Sequence, residues 1–221
     1  MAVRDHHPLP PYDRLMAVVD QDLAEAGRRA LRRHGWQALT AERIAEEAGI
    51  SRVTLHRRGV KKEDILEALT AQATEAYRAA MWPALTAAGN ARHRLELALG
   101  ALCDSAEENL DLLVALRSQT DAIFHDPDEG EVMTRDVFTE PLERLLRDGI
   151  SDGSIRRVNP LETATVLFNL VGWTYVHLRT GHRWTPERAR ERTVEIALHG
   201  VRKPSCESAT TSRRRSSTRS R

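Results

Sequence analysis

Between Ser51 and Lys62 the chain concentrates side chains that donate hydrogen bonds: Arg52, Thr54, His56, Arg57, Arg58 and Lys62. Guanidinium groups suit guanine O6 and N7 or phosphate, and Thr54 or Val53 suits a thymine methyl. Other chemistry is poorly represented. Gly149-Ile150-Ser151-Asp152-Gly153 formally matches a G-x-S-x-G nucleophile elbow. An elbow needs a strand before it and a helix starting at the serine; here a helix precedes and a loop is expected to follow. His6-His7 has no partner at ligand spacing, so no metal site is expected. Cys103 and Cys206 are too far apart to read as a disulfide framework. Nothing near Cys103 in sequence would activate a thiolate. No carboxylate pair, metal cluster or phosphate loop is evident, so the chain reads as a non-enzyme without cofactor.

The donors need a rigid mount, and the flanking residues supply one. Thr40 can cap a short helix, along which Ile44, Ala45 and Ala48 recur at helical spacing. Gly49 offers the left-handed residue that ends that helix and turns the chain. Ser51 can cap a second helix, with Leu55 pointing inward and its polar residues outward. A short basic helix held across a partner helix suits entry into a DNA major groove.

At these residues the chain resembles the TetR family of bacterial transcriptional regulators. The pattern is Leu39-Thr40, Ile44-Ala45, Ala48-Gly49-Ile50-Ser51, Thr54-Leu55, Arg57, and Lys62-Glu63 leading to Ile65-Leu66, with Gly35 and Trp36 upstream. Two positions depart from it: His56 stands where the family usually has tyrosine, and Gly59 where it has an aromatic or branched residue. The resemblance implies that Thr40 binds phosphate and that Glu42 and Arg43 lie near the groove. It implies that Arg52, Val53, Thr54 and Arg57 read base edges, with His56 and Arg58 on phosphate or bases. Lys62, at the start of the next helix, is placed for a phosphate.

Composition fixes the class. Hydrophobic residues are 41% and aromatics only 5%, and alanine and leucine abound, which points to an all-α protein. No apolar run is long enough for a bilayer, and the start lacks the apolar core of a signal peptide, so a cytoplasmic protein without membrane contact is expected. The formal net charge of +1 hides a segregation: residues 1–62 carry +4, residues 202–221 carry +6, and the middle carries −9. A basic N-terminal module on an acidic body directs DNA to one end.

Four segments follow: a lead-in at 1–11, a three-helix helix-turn-helix domain at 12–62, a helical ligand-binding and dimerisation domain at 63–202, and a disordered basic tail at 203–221. The first long helix is expected over 12–34, ended by Gly35, with Trp36 as core filler. Further helices are expected at 62–82, 91–107, 109–119, 128–148, 159–180 and 186–200. Pro83 is expected to break the first of these, and Pro141 to kink the fourth.

The helices at 159–180 and 186–200 carry more apolar surface than one neighbour can cover, so a two-fold four-helix homodimer interface is expected. Dimerisation would set two reading heads one DNA turn apart, about 34–36 Å, to engage a palindrome. The resemblance also implies a small-molecule effector that enters the body and releases a double-stranded DNA operator, with repression as the output. Trp82, Leu99, Cys103, Phe124, Phe138, Asn169, Trp173 and His177 are the candidate lining, suited to an apolar or aromatic ligand. The alternative is a dimeric sensor whose DNA binding is sequence-blind, consistent with His56 and Gly59.

Overall fold

Asp20 opens the first helix. Its carboxylate accepts the Leu23 backbone N–H at 2.8 Å, and helix α1 (Gln21–Ala38) follows. The computed structural model describes residues 19–117 and 138–201. The helix expected from residue 12 therefore starts at Gln21, because Asp20 is its cap; Leu15 lies outside the described residues, as does Val18. Gly35, expected to end it, instead marks an internal kink (φ 70°) after which one more turn forms.

Eight more helices lie among the described residues: α2 (Ala41–Glu47), α3 (Arg52–Arg57), α4 (Lys62–Thr86), α5 (Ala91–Glu108), α6 (Leu110–Arg117), α7 (Glu140–Ser151), α8 (Pro160–Thr180) and α9 (Pro186–Val201). Helix α4 runs through Pro83, which was expected to break it. Proline removes one backbone bond, but Met81 and Ala84 on either side are both buried and hold the turn. Pro141 makes no kink, because it falls in the first turn of α7, where an N–H would have no helical partner. That helix continues to Ser151, so Gly149 and Ser151 are helical rather than part of a loop. Val132, Met133 and Val137, expected on its early face, lie outside the described residues.

The described residues divide into two compact units, 19–77 with 108–117, and 78–107 with 138–201. The first has one apolar core. Leu23, Leu31, Ile44, Leu55, Ile65 and Leu69 are almost fully excluded from solvent there, together with Leu112, Ala115 and Leu116 of α6. Helix α6, expected in the body, thus packs on α1. Polar ties reinforce that seat. Arg28 donates to Asn109 Oδ1 (3.1 Å) and Gln72 Oε1 (3.2 Å), and Arg32 donates to the Glu108 carbonyl (3.3 Å). Gly27 lets α1 and α4 approach closely, since a Cβ there would overlap Ile65 Cγ2.

In the second unit α8 packs between α7 and α9. The 152–154 turn caps α5: Ala91 N–H donates to Asp152 Oδ2 (2.8 Å) and Arg92 N–H to Ser154 Oγ (3.2 Å). Glu107 at the end of α5 is the polar anchor of α8. Arg179 donates to both its oxygens, at 2.6 and 2.7 Å, and the Tyr175 hydroxyl donates at 2.9 Å. The Arg179 hydrogen bonds hold the Glu107 carboxyl below its ordinary range, against partial desolvation, with Tyr175 helping. Asn159 caps α8 by accepting the Glu162 N–H, as its sequence pattern indicates.

Candidate nucleic-acid interface

The two short helices are built by their caps. Thr40 Oγ1 accepts the Arg43 N–H at the start of α2, and Ser51 Oγ accepts the Thr54 N–H at 3.1 Å at the start of α3. Gly49 between them has φ 66°, a left-handed turn that glycine adopts without steric penalty. Outside these helices, Glu47 clamps the end of α2 to α1. Its carboxylate meets Arg33 at 2.6 Å and Arg29 at 3.4 Å, and its carbonyl accepts from Arg29 at 2.8 Å.

Helix α3 is anchored by Leu55, which is buried, while Arg52, Val53, Thr54, His56, Arg57 and Arg58 are all exposed. Six residues span about 9 Å of axis, comparable to the depth of a major groove. The α3 donors are not equivalent. Arg52 Nε lies 2.8 Å from Glu42 Oε1 on α2. Arg58 Nη1 lies 2.9 Å from Asp20 Oδ2, so Arg58 braces the end of α3 against the cap of α1. Arg57 and His56 have no side-chain hydrogen bond or ion pair among the described residues. The Thr54 hydroxyl is 2.9 Å from the Ser51 hydroxyl, which occupies its polar end and leaves its methyl outward for apolar contact.

The remaining candidates lie around this helix. Arg43 Nη1 donates to the Ala38 carbonyl, so this side chain is committed to the backbone before α2. Glu42 is exposed, and its carboxyl is held below the ordinary range by its own backbone N–H, then by Thr40, against desolvation, with Arg52 adding to the effect. Lys62 Nζ sits 4.5 Å above the Trp36 ring, a cation–π contact that steadies the ammonium at the start of α4. Trp36 is thus half-buried and supports a basic group.

Gly59 closes α3 with φ 70° and its N–H on the His56 carbonyl (2.9 Å). The next residue, Val60, turns into the core and supplies the apolar brace between α3 and α4. Asp20 is the residue that sequence reasoning missed. The signal was there, since Asp20 precedes an amphipathic run with a second acid, Asp22, in its first turn.

Comparison with known families bears on this geometry directly. Residues 23–69 match the family model described as "Bacterial regulatory proteins, tetR family", and residues 88–201 match "Tetracyclin repressor-like, C-terminal domain". The chain belongs to the TetR family of bacterial transcriptional regulators.

As a TetR protein it is a DNA-binding transcriptional regulator of a non-enzymatic family, with an N-terminal helix-turn-helix domain and a C-terminal helical domain. A TetR transcription regulator from Haloarcula marismortui is 25% identical with a TM-score of 0.66, covering 83% of this chain and 97% of its own. PfmR from Thermus thermophilus is 22% identical, with TM-score 0.65 and coverage of 81% and 98%. KstR2 of Mycobacterium tuberculosis, a ketosteroid transcriptional regulator, is 20% identical, with TM-score 0.60 and coverage of 86% and 96%. The last two likenesses establish the fold. A comparison with curated proteins finds no match to this chain. No helix among the described residues is long and apolar enough to cross a membrane.

The residues expected to line an effector cavity in this TetR body are not brought together. Leu99 and Cys103 are buried in α5. Phe138 stacks on Phe168 at 5.3 Å between ring centroids, and Trp173 is half-buried. Trp82 is 66% exposed, and Asn169 and His177 are exposed. The cause is the register of α8. Its buried stripe is Ala164, Leu167, Val171, Tyr175 and Val176, so Asn169, Trp173 and His177 fall on another stripe, four residues apart. Asn169 donates to the Thr165 carbonyl (2.9 Å), and His177 meets His182 edge-on at 5.0 Å. Phe124 lies outside the described residues. Burial pushes the Cys103 thiol up to about 12; Arg190 opposes this and Asp104 adds to it, so the group is not a thiolate at neutral pH.

Proposed function

We propose that this regulator is a homodimeric repressor that inserts α3 into the major groove of a palindromic operator and leaves it when a small apolar or aromatic molecule binds the body. The observation that carries the reading is the outward face of α3. It presents exposed Arg52, Val53 and Arg57 on a helix capped at its start and anchored by buried Leu55. Arg52 and Arg57 are the base readers, Val53 and the Thr54 methyl suit thymine, and Lys62 and Thr40 hold phosphate.

Support for the dimer comes from α8 and α9. Val166 (61% exposed) and Leu170 lie on one face of α8, beside half-buried Trp173, and Ile196 of α9 is 67% exposed. Apolar side chains of that size exposed in series are what a second copy would cover. The effector class rests on Leu99, Cys103 and the Phe138–Phe168 pair, all apolar or soft. The alternative, a sensor with sequence-blind DNA binding, is weakened because Val60 provides the brace that Gly59 lacks.

The test is selection of bound sequences from random and genomic DNA with purified protein at near-physiological salt. A pseudo-palindrome with half-sites one turn apart is the expected result. Arg52→Ala or Arg57→Ala should then relax preference at particular base pairs. Lys62→Ala should weaken all duplexes alike and flatten the salt dependence. Recovery of no motif, with binding that vanishes as salt rises, would establish the sensor instead.

A further inference from the structure

Three arginines stand within seven residues on or beside α3, and each is in a different state. Arg58 is tied back to Asp20, Arg57 is without a partner among the described residues, and Arg52 is engaged by Glu42 from the neighbouring helix. The Glu42 contact is made at one specific edge of the guanidinium. Oε1 lies 2.8 Å from Nε, the donor nearest the aliphatic stem.

A guanidinium can pair with two acceptors side-on, through Nε and one terminal amine, or end-on, through both terminal amines. A carboxylate on Nε removes the first option and leaves the second. Both side chains are well exposed, 72% for Arg52 and 53% for Glu42, so the pair sits at the surface of the reading helices. Glu42 needs no rearrangement to keep this position: it lies in the first turn of α2, behind the Thr40 cap.

We propose that Glu42 is a positioning residue that determines specificity: by holding Arg52 at Nε it presents the two terminal amines end-on to a guanine edge. The inference rests on the reading of α3 as the groove-entering helix. In water an exposed ion pair is weak. As DNA displaces that water, the carboxylate and the base together define the guanidinium plane at two points. Glu42 also places a negative charge next to the phosphate backbone, which opposes every sequence equally. Removing it therefore has two effects of opposite sign. Discrimination falls because Arg52 is free to swing to phosphate, and affinity for arbitrary DNA rises because a repulsion is gone. A role confined to α2 stability would lower both affinities together.

The experiment measures the Kd of the full-length protein for the selected operator and for a scrambled duplex at matched salt. It compares the natural protein with Glu42→Ala, Glu42→Gln, Arg52→Ala and the Glu42→Ala/Arg52→Ala pair. A bidentate arginine–guanine pair discriminates by about five- to 150-fold. Loss of its orientation should lower the operator-to-scrambled ratio about three- to tenfold in Glu42→Ala. Affinity for the scrambled duplex should rise about twofold at low salt. Glu42→Gln keeps an acceptor oxygen and should restore part of the ratio. In the Arg52→Ala background, Glu42→Ala should leave the ratio unchanged.

An unchanged ratio in Glu42→Ala, with Arg52→Ala lowering it, overturns the positioning role and leaves the groove reading intact. Parallel losses on both duplexes, tracking a lower unfolding temperature, also overturn it. An unchanged ratio in Arg52→Ala, or failure to select any operator, overturns the groove reading and this inference with it.

Discussion

Gly27→Ala should destabilise the protein, although it puts a better helix former in the middle of α1. Helix propensity alone favours alanine by about 1 kcal/mol. Against it stands Ile65 on α4. A Cβ built on Gly27 would lie under 3.0 Å from Ile65 Cγ2, 3.5 Å from its Cβ and 3.6 Å from its Cδ1. Ile65 is 0% exposed, and a β-branched residue in a helix has one strongly preferred rotamer, so the methyl has nowhere to rotate. Overpacking of this kind costs about 1–3 kcal/mol, which leaves a net loss of about 1–2 kcal/mol.

Gly172→Ala is the matched control. Its nearest neighbour would be Leu102 Cδ1 at 3.9 Å, an ordinary contact, so it should stabilise by about 0.5–1 kcal/mol. The assay is thermal and urea unfolding followed by helical circular dichroism, at one protein concentration because a dimer makes stability concentration-dependent. Gly27→Ala should lower the midpoint by about 2–6 °C, and Gly172→Ala should raise it. Ile65→Leu removes the offending Cγ2 while keeping volume, so the double variant Gly27→Ala/Ile65→Leu should be more stable than the two single effects sum to. A midpoint raised by Gly27→Ala as much as by Gly172→Ala, or strict additivity with Ile65→Leu, would refute the close approach of α1 and α4.

Three further outcomes are expected. Gly59→Ala should cost about 1 kcal/mol because φ is 70° there, and Gly59→Asn less, since asparagine tolerates that region; equal unfolding midpoints for the two would contradict the left-handed turn. Glu107 has a depressed carboxyl, so its contribution is fully present above the ordinary value of 4.5 and is lost as pH falls through the lower folded value. Glu107→Gln should therefore be about 1–2 kcal/mol less stable at pH 7, and urea titrations at falling pH should show the gap closing below that ordinary value; a gap constant down to pH 3.5 counts against the Arg179 pairing. In a Cys206→Ser background, Cys103 should react with an aromatic disulfide reagent at pH 8 only on the time scale of unfolding, because burial pushes its thiol up to about 12; rapid reaction of the native protein would show the site to be open.

Much of the reading head was legible because it is local. Thr40, Ser51 and Asn159 cap helices three residues ahead of the N–H each accepts, and Gly49 marks its turn, so a short window contains both partners of each interaction. The errors have the same origin in reverse. Asp20 was hidden inside a longer apolar pattern that reached back to Leu15. Pro83 looked like a stop because burial of Met81 and Ala84 on either side is not a property of the segment itself. On α8 nearly every position is apolar, so periodicity could not tell the Leu167–Val171 face from the Val166–Leu170 face, and three candidate cavity residues landed on the wrong side.

Residue types and spacing alone were enough for the helical class, the positions of most helices, the basic reading helix and the family. These follow from interactions between residues a few positions apart, whose geometry is set by the helix itself. Which donors of that helix remain free for DNA is a different matter. Arg58 is paired with Asp20, 38 positions away, Arg52 with Glu42 across a turn, and α6 joins the first unit through Arg28 and Asn109, 81 positions apart. Such pairings depend on how whole helices are placed against one another, and that placement comes from the summed burial of many side chains rather than from any motif.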